Sequence, residues 1–122
     1  MSNLRVLSVR QPWGSLIASG RKTIELRSWS TKYRGPVLIL AGSGVWRGTD
    51  YPIGPRGVAL CIVDLLDVRE VRAADERAAC IVPPEGFGFA WVLGKARAVR
   101  QVPVKGKLGL YSASAELLEA IA

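Results

Sequence analysis

The chain has 122 residues, 49% of them hydrophobic, with 17 basic and 10 acidic side chains and no histidine. That length suits one domain, residues 1–122, with a core of its own, and the apolar content excludes a disordered chain. Without histidine there is no Ser–His or Cys–His nucleophile pair and no common His-based metal site, so any chemistry falls to Lys, Glu, Asp, Tyr, Ser or Thr.

The net charge of +7 is unevenly spread. Residues 1–40 carry seven bases (Arg5, Arg10, Arg21, Lys22, Arg27, Lys32, Arg34) against one acid, Glu25. Residues 95–111 carry five bases (Lys95, Arg97, Arg100, Lys105, Lys107) and no acid. Charge that served only solubility would be scattered, so this clustering points to a polyanionic partner. No apolar run approaches the ~20 residues of a membrane span. Arg5 and Arg10 interrupt the first residues, which leaves no secretory apolar segment and makes a cytoplasmic setting the expectation. Cys61 sits in an apolar run as a small buried hydrophobe. Neither it nor Cys80 has a partner at metal-ligand spacing, so neither a metal nor a cofactor is expected.

In chain order, residues 4–10 ("LRVLSVR") alternate as a strand. Pro12 suits the start of a short helix, "PWGSLIASG", with Trp13, Leu16 and Ile17 on one face and Gly20 capping its end. "KTIELRSWS" alternates again. Ile24 and Leu26 should face a core, which puts Glu25, Arg27 and Trp29 together on the other face. "PVLILA" reads as a buried strand. Residues 42–57, with five Gly and two Pro, read as a long loop. "VALCIVDLLDV" is the most apolar strand, and "REVRAADERAAC" a solvated helix. "PPEGFG" is a turn, and "FAWVLGKARAV" a strand in which Gly94 marks a bulge. "SASAELLEAIA" closes as a helix capped by Ser112 or Ser114, with Leu117, Leu118 and Ile121 inward. Five or six short, closely spaced strands with two or three flanking helices give an α+β chain, expected to be a small, mostly antiparallel β-barrel. The spacing is too short for repeated βαβ crossovers.

The set QPW, G-x-K-x-x-E-x-R-x-W, YRG and K-G-x-x-G-L, carried by residues 11–13, 20–29, 33–35 and 105–110, resembles the ASCH domain family, whose fold is a PUA-like β-barrel. "GVALCIVDLLDV" and "FAWVL" are similar to its middle strands, so the resemblance spans nearly the whole chain. It is strongest toward the ASCH domains fused to eukaryotic transcription coactivators. The resemblance implies nucleic-acid binding, often of RNA. It also brings in a bacterial branch that hydrolyses N4-acetylcytidine, and members described as ribonucleases.

Glu25, Arg27 and Trp29 project together, with Lys22 just before them. A lysine there can hold a phosphate or, desolvated, act as nucleophile or base. The acetylcytidine hydrolases carry a catalytic lysine in a stretch similar to "GRKTI". They carry Thr where this chain has Glu25, a departure that bears directly on chemistry, although a carboxylate beside a lysine can shuttle a proton. Lys22 and Glu25 are therefore the catalytic candidates. Arg10 and Gln11 can read base edges, and Trp29 offers a stacking face. Trp13 and Trp91 read as core and Trp46 as a rim or lid. Arg34 reaches a phosphate or anchors its turn. Lys105 and Lys107 flank a glycine that lets backbone approach a ligand, and the resemblance sets them at the mouth of the Lys22 cleft. Asp64 and Asp67 face opposite sides of one strand and make no metal pair, with Asp64 a minor candidate as partner of Lys22. The expected ligand is RNA, another nucleic acid or a modified nucleoside. The alternatives are amide hydrolysis of an N4-acylated cytidine and, last, a metal-assisted ribonuclease, which lacks clustered carboxylates.

Overall fold

The computed structural model describes residues 4–122; residues 1–3 of the expected 1–122 domain lie outside them. Among the described residues seven strands form one sheet: β1 (Arg5–Gln11), β2 (Ile24–Arg27), β3 (Gly35–Val45), β4 (Val58–Glu70), β5 (Phe89–Leu93), β6 (Arg97–Ala98) and β7 (Leu110–Ser112). Three helices accompany them: α1 (Trp13–Ala18), α2 (Glu76–Ala79) after a 3-10 turn at Ala73–Asp75, and α3 (Ala115–Ile121). The strand order is β2-β5-β4-β3-β1-β7, with β6 pairing β4 off that path.

The expected small barrel of five or six strands is corrected in two respects: among the described residues the sheet has seven strands, and it stays open. The ladder does not close, and β2 and β7 end the path as edges. The sheet is mostly antiparallel, as expected, but β1 runs parallel to β3, from Arg5 opposite Val37 to Val9 opposite Ala41. The chain reverses direction between those strands through α1 and β2, so one crossover does fit the short spacing. β4 changes partner along its length. Residues up to Leu65 pair with β3, those from Leu65 on pair with β5, and the register shifts between Leu65 and Asp67.

Alternation assigns each strand face to a layer. Leu7, Val9, Val37, Ile39, Val63, Leu65, Trp91 and Leu93 turn inward with Trp13 and Ile17 of α1. Val6, Leu38, Leu40 and Ile62 turn outward and are covered by α3 through Leu117, Leu118 and Ile121. Ser114 caps that helix, its hydroxyl accepting from the Leu117 amide at 3.1 Å. A third, smaller cluster packs Ile24 and Leu26 of β2 under Ala79 of α2. Trp91 is fully buried, as its apolar strand predicts, and truncating such a side chain costs about 3–5 kcal/mol.

Three boundaries differ from the sequence reading. β3 continues through Gly42 to Val45, because pairing with β1 persists past the apolar run. The strand expected around Gly94 divides into β5 and β6, with the Gly94 amide donating to the Asp64 carbonyl at 2.8 Å between them. Most of the helix expected near residues 69–80 is instead the end of β4, a 3-10 turn and one turn of α2. There Asp75 accepts a two-pronged bond from Arg69 at 2.8 and 2.9 Å and one from the Arg72 amide at 2.8 Å, which fixes a turn that propensity alone would extend.

Candidate functional site

Lys22 is positioned by backbone. Ser19 caps the end of α1, Gly20 takes φ +83°, and the Lys22 amide donates to the Leu16 carbonyl at 3.0 Å. A left-handed residue at that point suits glycine. Thr23 is held on both sides, its amide donating to Ala78 and its carbonyl accepting from Leu93, both at 2.9 Å. The Lys22 side chain is thereby sent inward and is only 2% exposed.

Its ammonium donates to the Ala79 carbonyl at 2.6 Å, lies 3.6 Å from a Glu25 oxygen and sits 5.1 Å from the Trp13 ring. Burial pulls the Lys22 amine below the ordinary lysine range, and the Glu25 charge opposes that pull. Glu25, also buried, stands opposite Trp91 in the β2–β5 ladder and so faces the inner core. Its other oxygen accepts from Arg27 at 3.0–3.1 Å. The same guanidinium donates to the Ser8 carbonyl of β1 at 2.8 Å. Glu25 and Arg27 thus share one face of β2, as alternation predicts, and that face lines the interior of the rolled sheet.

Gln11 is fully buried. Its amide nitrogen donates to the Ser15 hydroxyl at 2.8 Å and the Pro55 carbonyl at 2.7 Å, and its oxygen accepts from the Ser15 amide at 2.9 Å. These bonds join α1 to the glycine-rich loop and occupy the groups that base-edge reading would use. Trp29 is half-buried, its ring edge-on to Trp91 at 4.8 Å, and its carbonyl accepts the Trp91 indole N–H at 3.1 Å. Arg34 anchors its own turn, donating to the Thr31 and Tyr33 carbonyls and pairing with Asp67 at 3.6 Å. Asp64 pairs with Arg97 at 3.1 Å rather than with Lys22.

Arg10, Lys105 and Lys107 are all exposed. Arg10 alternates with Gln11 and lies against Gly44 on the opposite, outer face. On that face Gly106 abuts Ser8 so closely that a Cβ there would overlap the Ser8 hydroxyl. Ser8 thereby joins two groups of residues. Its carbonyl holds Arg27 of the buried trio, and its hydroxyl backs the loop that carries Lys105 and Lys107. The Ser8 hydroxyl is buried without a hydrogen-bond partner among the described residues, and Lys107 lies 5.6 Å from the Tyr111 ring. Among those residues no ion pair or hydrogen bond joins Lys105 or Lys107 to Lys22 or Glu25.

Sequence reading missed Ser8, whose alternation gives a face but not its neighbour. It also missed Tyr51, which lies 6.4 Å from Trp13 and under Arg21 at 5.1 Å. Nothing local marks a loop tyrosine for such a contact. Among the described residues no helix is long and apolar enough to cross a membrane.

Comparison with known proteins agrees with this fold. The model of the ASCH domain matches residues 7–121. Activating signal cointegrator 1 of Homo sapiens and that of Mus musculus are each 30% identical, in alignments covering 82% of this chain and 20% of the relative. The chain therefore spans about a fifth of the length of these curated relatives. Among solved structures, ASCH from Zymomonas mobilis superposes with a TM-score of 0.71 at 15% identity, covering 98% of this chain and 93% of the other. A point mutant of that Zymomonas protein gives 0.70 at 15% identity, covering 97% and 95%. At that identity the likeness is one of fold, and it is the family match over nearly the whole length that settles the classification. The chain belongs to the ASCH domain family.

Proposed function

We propose that residues 1–122 act as one ASCH unit that binds RNA or another nucleic acid, in a cytoplasmic setting, through a basic surface at the end of β1. The observation that carries this reading is the meeting of two distant basic segments at Ser8. Arg10 from the first segment and Lys105 and Lys107 from the last are exposed around one strand end, where Gly106 lets backbone come close. Phosphates supply most of the affinity of such a surface. On this reading Lys22, Glu25 and Arg27 do not touch the ligand but brace the inner side of β1 behind that surface, through the Arg27 bond to the Ser8 carbonyl. The test is equilibrium binding of single-stranded RNA with Lys105 and Lys107 reversed to Glu. The reading expects weaker, less salt-dependent binding by that variant.

A second reading has a specific observation in its favour. Lys22 is buried, its amine is held below the ordinary lysine range, and a carboxylate stands 3.6 Å away. That is the arrangement a general base needs. For an N4-acylated cytidine, water would add to the acyl carbon as Lys22 takes its proton. The C–N bond would then break, with the exocyclic nitrogen leaving as the amine after receiving a proton through Glu25. Against it stand the 2.6 Å bond that holds the Lys22 ammonium to Ala79, and the hydrogen bond and ion pair by which Arg27 holds Glu25. Incubation with N4-acetylcytidine tests it. Release of cytidine by the wild-type chain and none by Lys22→Ala would support it; equal turnover would remove Lys22 from the mechanism.

A further inference from the structure

The four tryptophans differ sharply in exposure. Trp91 is fully buried, Trp13 is 8% exposed, Trp29 is half-buried against Trp91, and Trp46 is 42% exposed. Trp46 is nevertheless fixed at its base, because its amide donates to the Gln11 carbonyl at 2.7 Å. Its ring leans on Trp13 at 6.4 Å and 48°, and Trp13 meets Tyr51 edge-on at 6.4 Å.

Cations surround this aromatic row. Lys22 lies 5.1 Å from the Trp13 ring, Arg21 lies 5.1 Å above Tyr51, and the exposed Arg47 follows Trp46 directly. Tyr51 and Arg21 also line a surface depression of about 570 Å³ shared with Arg77, Cys80 and one acid, Glu76. An exposed apolar ring alone asks for no explanation. A fixed, half-exposed indole backed by two further aromatics and flanked by arginines is the combination that single-stranded nucleic acids use, with bases on π faces and phosphates on cations.

We propose that Trp46 is the face on which a base of a single-stranded nucleic acid stacks, with Arg21, Arg47 and Arg77 receiving the flanking phosphates. The assignment rests on the nucleic-acid reading above and moves the stacking role from Trp29 to Trp46. The ring of Trp29 already packs against the core, so a base there would have to displace a protein contact. Trp46 is 42% exposed and its backbone is held, so stacking needs only a local adjustment of a glycine-rich loop.

The experiment follows intrinsic tryptophan emission while a single-stranded RNA of about 12 nucleotides is titrated into the full chain at low salt. Stacking on Trp46 predicts a quench in the wild type that Trp46→Phe largely removes. Trp46→Ala is expected to bind about tenfold more weakly, within the range for loss of one stacked base. Trp46 lies at the surface, and unchanged thermal unfolding of both variants confirms that they fold. Retention of the full quench by Trp46→Phe, its loss in Trp29→Phe, or wild-type affinity in Trp46→Ala overturns the assignment alone. Absence of RNA binding by the wild-type chain overturns the underlying reading as well.

Discussion

The Arg27 guanidinium donates to the Ser8 carbonyl at 2.8 Å, and that bond ties β2, one edge of the sheet, to β1 near the other. The ladder stays open, yet a side chain spans the gap that a closed barrel would fill with strand pairing. Arg27 suits the task because a planar fork can serve the Ser8 carbonyl and the Glu25 carboxylate together.

Arg27→Met should therefore cost about 3 kcal/mol, since it opens this tie and leaves Glu25 with Lys22 alone. Arg27→Lys should recover only part, because an ammonium cannot repeat the two-direction geometry. Urea denaturation measures both. A loss below about 0.5 kcal/mol for Arg27→Met, the size of an ordinary surface change, would show the tie to be incidental.

The Lys22–Glu25 pair is buried, so removing one partner should be worse than removing both. Glu25→Gln alone is expected to destabilise by about 3 kcal/mol, by leaving two cations without their counter-charge. Adding Lys22→Met should return part of that loss, with a coupling of at least about 1 kcal/mol in a double-mutant cycle. Additive losses would mean that the 3.6 Å approach carries no energy of its own.

Much of this arrangement is legible in the amino-acid order, and the reason is alternation. A period of two puts Glu25 and Arg27 on one face of β2 and Ile24 and Leu26 on the other, and the core clusters follow that division. The caps at Gly20 and Ser114 are equally local signals. What the order does not carry is how the sheet rolls. Alternation separates the faces of β2 but cannot say that the charged one lies inside, where Ser8 waits to accept from Arg27. For the same reason Gln11 looks available for recognition yet is consumed by Ser15 and Pro55, the second of them 44 residues away. Helix propensity near residues 69–80 is overruled by the Arg69–Asp75 pair.

Asp75 should make stability depend on acid. The bonds from Arg69, then the Arg72 amide, hold its carboxyl below the usual range despite burial. A carboxyl lowered in the fold contributes stability that is present above its unfolded pKa of about 4. That contribution is lost as pH falls through the native value. Asp75→Asn should cost about 2 kcal/mol at pH 7, and the difference from wild type should shrink below about pH 4. A difference that stays constant across that window would contradict the assignment.

The two thiols should separate cleanly. Cys61 is fully buried in β4, and burial pushes its thiol up to about 12, so thiolate is scarce near neutral pH. Cys80 is half-buried and borders a surface depression. A maleimide reagent should label one site in the folded chain, Cys80, and two in denaturant. Early labelling of Cys61 would mean that β4 opens readily.

The most direct test of the central claim is the salt dependence of single-stranded RNA binding between about 50 and 200 mM salt, with and without Lys105→Glu and Lys107→Glu. A basic surface at the end of β1 predicts tight binding at low salt that falls steeply as salt rises. The double reversal should weaken binding at every salt concentration and flatten the logarithmic slope by about two, one for each phosphate no longer held. Binding that ignores salt, or a double variant that keeps the wild-type slope, would contradict it.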